Sequence, residues 1–478
     1  MLGDLIIIPA AAAALAALTP SDRWRPWVLP LGSGLHLTLV VNAVRATVES
    51  QPGDWLALDA AGKIVLLAVS LLHFLSMLYA PGYLALRPER PNRVLCTCML
   101  LALSMMTLVV LSHHLGLMWV AVEATTLVTA PSLYFNHNVR SLEATWKYLL
   151  ICSVGIALAL LGTLFLAYSA FHAGLHPSLA FDDLLRHAPD LSRPWLHAAF
   201  VLLLVGYGTK MGLSPMHTWK PDAYGEAPGM IGALMAGGVT SCVFFAVLRV
   251  YQIVVAGGEK AFASQTMIFM GLLSMVTAAV FMVRQRDFKR LLAYSSVEHM
   301  GILVFGLGIG GSAALYGTLL HVFNNAMTKG VLFLSAGNIH RAYGSKLTDD
   351  VRGAMRALPL SGPLFFFGFL ASCGSPPFSP FASEFTIVSA AFSSGHYAGA
   401  AIFLAALLVV FVGMGATVLS VVLGEPSRPR TEASFPDGFS TGAPIVGLML
   451  FVLWFGISLP PFLTGLLQQA VTSLAPLS

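Results

Sequence analysis

Of the 478 residues, 57% are hydrophobic and only 10% carry a charge, against about 25% in soluble domains, which excludes a soluble enzyme or a nucleic-acid binder and marks a polytopic membrane protein. The formal charge of +4 belongs to loop Lys and Arg that set topology. The five cysteines (Cys96, Cys98, Cys152, Cys242, Cys373) lie in apolar runs without zinc or haem spacing; they read as inert buried thiols, and neither metal nor cofactor is expected.

Met1-Leu-Gly-Asp4 runs straight into Leu5–Leu18 without a basic leader, so the first apolar run reads as a retained span. Apolar runs of about 18 residues or more predict an all-α fold of about fourteen transmembrane helices. In order they cover 2–19, 26–48, 57–81, 94–111, 113–135, 144–170, 195–219, 227–253, 265–283, 291–310, 312–340, 358–391, 397–423 and 441–470. The fourth and fifth are divided most narrowly, at Leu111-Ser-His-His114, where His113 and His114 read as interfacial. Two connections are long: 171–194, with an amphipathic element at Phe181–His187, and the flexible 424–440. Neither can house a catalytic domain.

Loop charge tests this count. Odd-numbered loops hold seventeen Lys and Arg, Lys220 among them, whereas even-numbered loops hold only Arg186, Arg193 and Lys260. A miscounted span would scramble that asymmetry. Basic loops stay in the cytoplasm, which places both termini outside.

An ionisable side chain at mid-membrane costs about 2.5–3.5 kcal/mol on insertion scales. Five sit well inside the predicted spans: Glu123, Lys210, Glu298, Lys329 and Glu384. Each could simply pair with a neighbour and lock the bundle, but five, regularly placed, point to ion movement. Glu123 and Glu298 are 175 positions apart, and Lys210 and Glu384 are 174 apart. Lys210 lies beside a break at Gly212–Pro215, and Glu384 beside one at Gly374-Ser-Pro-Pro-Phe-Ser-Pro380. Proline interrupts the helix, and in lipid the freed carbonyls are tolerated only against protein or a water-filled cavity. A five-helix repeat inverts direction because five is odd. Helices 4–8 (94–253) and 9–13 (265–423) therefore read as two inverted repeats with interrupted helices 7 and 12, after an N-terminal unit at 1–93 and before a C-terminal helix at 441–478.

His321, Asn325 and Lys329 recur at i, i+4 and i+8, so they share one helix face over about 12 Å. Histidine titrates near neutrality, and a desolvated lysine can, so this face could relay protons through water. A satisfied polar stripe at a helix contact is the plain alternative. His217, just after the first break, and His299, next to Glu298, are candidate lining residues.

Lys210-Met-Gly-Leu-Ser-Pro-Met-His-Thr-Trp-Lys-Pro-Asp-Ala223 resembles the span-seven signature of the antiporter-like subunits of respiratory complex I and of Mrp-type cation/proton antiporters. Asp287-Phe-Lys-Arg-Leu-Leu-Ala-Tyr-Ser-Ser296 resembles the same family's segment entering span ten. Val297-Glu-His-Met-Gly301 is similar to the F component of hydrogenase-4 and formate hydrogenlyase-type complexes. The resemblance covers roughly residues 60–425 and itself implies fourteen spans with outside termini. It implies that Glu123 is the family's span-five glutamate, Lys210 its span-seven partner, and Lys329 the central lysine of span eleven. His321 then matches a histidine of that helix, and Glu384 the terminal span-twelve residue. Asn325 stands where some members have a second histidine, and Ala236 where many have one. The link between the Lys210 and Lys329 half-sites is thus left to water or another side chain. Span fourteen reads as the last, so the lateral helix of one complex I subunit is not expected here.

What the resemblance implies is a non-catalytic, proton-translocating subunit of a redox-driven complex of the group 4 hydrogenase type, in the inner (plasma) membrane of a bacterium or archaeon. Its partners would be lipid, other membrane subunits and, indirectly, peripheral nickel–iron and iron–sulfur subunits. The same buried charges would serve a subunit of an Mrp-type Na+/H+ antiporter or of an inorganic-carbon uptake complex, or a structural anchor whose charges only hold partners.

Overall fold

The computed structural model describes residues 2–46, 54–176, 178–425, 435 and 437–474; most of the 424–440 connection lies outside them. Helices α1 (Leu2–Leu18), α2 (Val28–Arg45), α3 (Ala60–Ala85), α4 (Arg93–Leu111), α5 (Leu115–Leu133) and α6 (Val139–His172) come first. Asp59 opens α3 by accepting from the Gly62 amide at 2.8 Å, and Asn138 with Ser141 forms a capping box on α6. The narrow division at 111–114 is a true break between α4 and α5. Its extended backbone is satisfied on both sides: His113 N donates to Trp55 O and Phe181 N to His113 O, each at 2.9 Å. That pairing draws His113 into the protein, to 8% exposure.

After the short α7 (Phe181–Arg186), α8 (Arg193–Met211) and α9 (Trp219–Glu226) together replace the predicted seventh span. Helix α10 (Gly229–Ala233) continues through a π turn, Leu234–Val239, into α11 (Thr240–Ala256). Then come α12 (Lys260–Met282), α13 (Phe288–Ile309), α14 (Gly311–Tyr343), the short α15 (Ala354–Ala357), α16 (Ser361–Ser372), α17 (Ser379–Ser393), α18 (Tyr397–Val422), α19 (Phe439–Ile457) and α20 (Pro461–Ser473). The final predicted span, 441–470, is two helices, because Pro460 and Pro461 cannot continue the ladder of α19.

The fold is all-α and polytopic. Among the described residues, ten helices are long and apolar enough to cross a membrane, and α1 and α16 are shorter apolar helices. Helices α8 and α14 have the length but are not among the ten, since they carry Lys210 and the polar run His321–Lys329. Helices α11, α13 and α14 are enclosed, nearly all their residues being buried. Helices α6, α12 and α18 lie outside them and turn Leu150, Phe269, Val280 and Leu408 outward, as a lipid-facing surface requires.

Small residues let the outer helices close on the inner ones. A Cβ on Gly206 of α8 would fall 2.6 Å from Ala159 N and 2.7 Å from Gly155 O of α6. Lipid supplies no hydrophobic drive between helices, so backbone contact of this kind holds them. Gly206→Val is expected to destabilise the fold by about 1–3 kcal/mol through overpacking. A thermal scan in detergent reads this as a lower midpoint, and an unchanged midpoint would contradict the contact.

The two interrupted helices stop in the same way. Gly212 after α8 has φ +81° and Gly374 after α16 has φ +62°, left-handed positions that glycine adopts without strain. In each, an amide reaches back to cap the helix: Leu213 N to Gly208 O at 2.8 Å, and Ser375 N to Leu370 O at 3.0 Å. Trp219 Nε1 satisfies a further freed carbonyl, Thr209 O, at 2.9 Å. The breaks therefore match at Gly212 and Gly374, 162 positions apart, and not at the 174 separating Lys210 from Glu384. Lys210 precedes its break, whereas Glu384 follows its own. The residue standing as Lys210 does, two before the glycine, is Ser372. Counted from the glycines, this half carries a hydroxyl where the other carries an ammonium.

Candidate functional site

Helix α8 brings Lys210 into the interior, completely buried. Its Nζ donates to Thr126 Oγ1 at 2.8 Å and to Tyr148 Oη, 4.5 Å from the centroid of that ring. Thr126 Oγ1 in turn donates to Glu123 Oε2 at 3.2 Å, and Ser153 Oγ to Glu123 Oε1 at 3.0 Å. Glu123 and Lys210 are thus joined through a hydroxyl and make no direct ion pair. Thr126 can intervene because it lies one turn beyond Glu123 on α5, on the same face.

Lys329 on α14 is equally buried. Its Nζ donates to Ser295 Oγ of α13 at 2.6 Å and to Ser372 Oγ at the end of α16 at 3.3 Å. Ser372 Oγ is 3.0 Å from His299 Nε2, His299 Nδ1 is 2.9 Å from His321 Nε2, and His321 Nδ1 is 3.0 Å from Ser383 Oγ. Asn324 Nδ2 closes the row by donating to Ser383 Oγ at 3.1 Å and Ser379 O at 2.8 Å. An unbroken line of hydrogen bonds therefore runs from Lys329 to the start of α17.

The straight row His321–Asn325–Lys329 is not this line. Neither Oδ1 nor Nδ2 of Asn325 has a hydrogen-bond partner, and the connection crosses to His299 and Ser372 on facing helices. Side chains one turn apart can pair, but here His321 and Lys329 turn to partners on α13, α16 and α17 instead, and Asn325 pairs with neither of them. His299, a candidate lining residue next to Glu298, is the central link of the row. Glu298 is completely buried with both carboxylate oxygens unpartnered, and Glu384, 3% exposed, has one such oxygen. The Glu384 carboxylate lies against Gly374, where a Cβ would strike Oε2. His217 sits beside the stacked rings of Phe281 and Tyr294, 6.2 and 6.1 Å from their centroids, and is bonded to neither lysine.

Ligand atoms of His299, His321 and Glu384 lie within 4.8 Å of one another, a spread that a metal ion could bridge. All four ring nitrogens, however, already take part in the hydrogen bonds above, which suits the set to passing protons.

Lys220, counted among the loop cations, is completely buried. It lies on α9, which turns back into the bundle, and its Nζ donates to Ser296 Oγ of α13 at 3.1 Å. The available signal was its company: Trp219, Pro221 and Tyr224 are residues of a packed interior. The hydroxyls that hold the two lysines, Thr126, Tyr148, Ser295 and Ser372, carry no charge to mark them in the sequence. Arg249, 3% exposed and 2.8 Å from Asp59 Oδ2, was also missed.

Residues 112–409 match the profile of a family described as NADH:quinone oxidoreductase/Mrp antiporter, TM. A hydrogenase-4 component F homolog from Methylacidiphilum infernorum is 33% identical over 468 residues, 96% of each chain. NADH-quinone oxidoreductase subunit N of Desulforudis audaxviator is 28% identical over 481 residues, 98% of this chain and 91% of that one. In three dimensions the chain resembles one from the membrane-bound sulfane sulfur reductase, an archaeal respiratory membrane complex, with TM-score 0.89, 20% identity and coverage of 100% and 98%.

Proposed function

The chain belongs to the NADH:quinone oxidoreductase/Mrp antiporter transmembrane family, and from that membership we propose that it is the proton-conducting, antiporter-like subunit of a redox-driven complex of the membrane-bound hydrogenase kind. The hydrogen-bonded row from Lys329 through Ser372, His299 and His321 to Ser383 carries this reading. A ring that accepts a proton at one nitrogen and releases one at the other passes a charge without leaving its place. At the other end, a proton leaving Lys210 for Thr126 Oγ1 is matched by the Thr126 proton passing to Glu123. Glu384 exchanges with one side of the membrane, and Glu298 tunes the field around Lys329.

In this reading, 94–253 and 265–423 act as inverted halves, both termini lie outside the inner (plasma) membrane, and the energy comes from nickel–iron and iron–sulfur chemistry on peripheral partners. An Mrp-type Na+/H+ antiporter subunit is the second reading, favoured by the family description itself. Purification from native membranes through a tag on this chain separates the two. Redox subunits should co-purify, and reconstituted vesicles should move protons only when the donor of those subunits is supplied. Sodium-driven proton movement without redox subunits would decide for the antiporter.

A further inference from the structure

Lys210 and Lys329 head two separate sets of hydrogen bonds, and the π turn Leu234–Val239 between α10 and α11 carries no titratable side chain that could join them. Lys220 lies between the two sets. We propose that Lys220 hands protons from the Lys210 half-site to the Lys329 half-site, an assignment that rests on the proton-conducting reading above.

Three features of its surroundings carry this. First, the break after α8 is shaped around the Lys220 side chain: a Cβ on Gly212 would lie 2.5 Å from Lys220 Cδ and 2.8 Å from its Nζ. The lysine is thereby held against the turn that begins two residues after Lys210. Second, the two ammonium groups flank one run of aromatic rings. Lys210 Nζ is 4.5 Å from the Tyr148 ring, Tyr148 is 5.0 Å from Trp219, Trp219 is 5.8 Å from Tyr224, and Lys220 Nζ is 5.7 Å from Tyr224. Ring faces attract a cation without neutralising it, so they can hold the charge at either end. Third, Lys220 donates to Ser296, the chain neighbour of Ser295, which receives Lys329. Successive helical positions point about 100° apart, so α13 offers one hydroxyl to each lysine.

Among the described residues, no carboxylate lies within 4 Å of Lys220 Nζ; the lysine bridges that do form belong to Lys147 and Lys346. A lysine kept only as a structural cation would be expected to have such a partner, since an unpaired buried charge costs several kcal/mol. In the transfer, neutral Lys220 takes a proton from the Lys210 side and becomes an ammonium. It then gives a proton to Ser296 Oγ as that hydroxyl releases its own, through an intervening water, to neutral Lys329 beside Ser295. One proton enters and one leaves, and no other reactant is consumed.

The test uses the intact complex in vesicles, with Lys220→Met, Lys220→Arg and Lys210→Ala compared for donor-driven proton uptake and for electron transfer. Methionine keeps the length of the side chain without a proton to give; arginine keeps the charge but holds its proton throughout the working range. Both Lys220 variants should assemble, retain electron transfer and lose at least about tenfold in proton uptake, consistent with removal of a proton-transfer group. Uptake retained in Lys220→Arg, or failure of both variants to assemble, would assign Lys220 a structural charge and overturn the proposal. If Lys220→Met fails to assemble, Lys220→Arg decides alone. A Lys210→Ala complex that still pumps would instead sink the underlying proton-conducting reading.

Discussion

Lys210→Ala should lower donor-driven proton uptake by about a hundredfold or more, the range lost with a positioned proton-transfer group, while the complex assembles and electron transfer on its partners persists. Alanine removes the donor that both Thr126 and Tyr148 receive. The pocket retains its other bonds, because Thr126 still donates to Glu123 and Tyr148 Oη still meets Thr129 Oγ1 at 2.7 Å. Loss of function with an intact fold is therefore the expected outcome. Lys210→Met, closer in volume, controls for the cavity left by alanine and should be as inactive. Proton uptake at the original rate in either variant would remove Lys210 from the pathway.

His299→Phe should cost a comparable factor, about a hundredfold, because it cuts the row at its middle. Both Ser372 and His321 lose a partner at once. The informative comparison is Asn325→Leu. The Asn325 amide makes no hydrogen bond, and replacing an unpaired buried polar group by an apolar one of similar shape is close to neutral for stability. Its effect on pumping should stay within about threefold. If Asn325→Leu proves the more damaging, protons travel along the α14 face and not through the facing helices. Donor-driven uptake in vesicles, normalised to electron transfer, reads both variants.

Part of the candidate site is legible in the amino-acid sequence, and what escapes does so for identifiable reasons. Lys210, Lys329, Glu123, Glu298 and Glu384 announced themselves because a charge in an apolar run is costly and therefore rare. Lys220 did not, because it lies just past the Gly212–Pro215 break, where the apolar run has ended and a lysine passes for a loop cation. Serine and threonine carry no such cost, so Ser372 and Thr126 were invisible although they hold the lysines. Glu123 and Lys210 were expected to pair, and the structure joins them only through the Thr126 hydroxyl. The two breaks were legible from glycine and proline, while the left-handed φ shared by Gly212 and Gly374 was not.

The amino-acid sequence by itself determined the membrane class, the all-helical fold, the two interrupted helices and the charges beside them. These follow from local rules: a backbone in lipid must satisfy its own hydrogen bonds, and an apolar run of sufficient length spans. Only the tertiary structure decided which side chains meet. Lys329 is held by residues 34 and 43 positions away, and Lys220 by one 76 away. Contacts over such separations depend on how helices pack, through glycine faces and breaks, and a hydroxyl at that contact leaves no mark in hydropathy or charge.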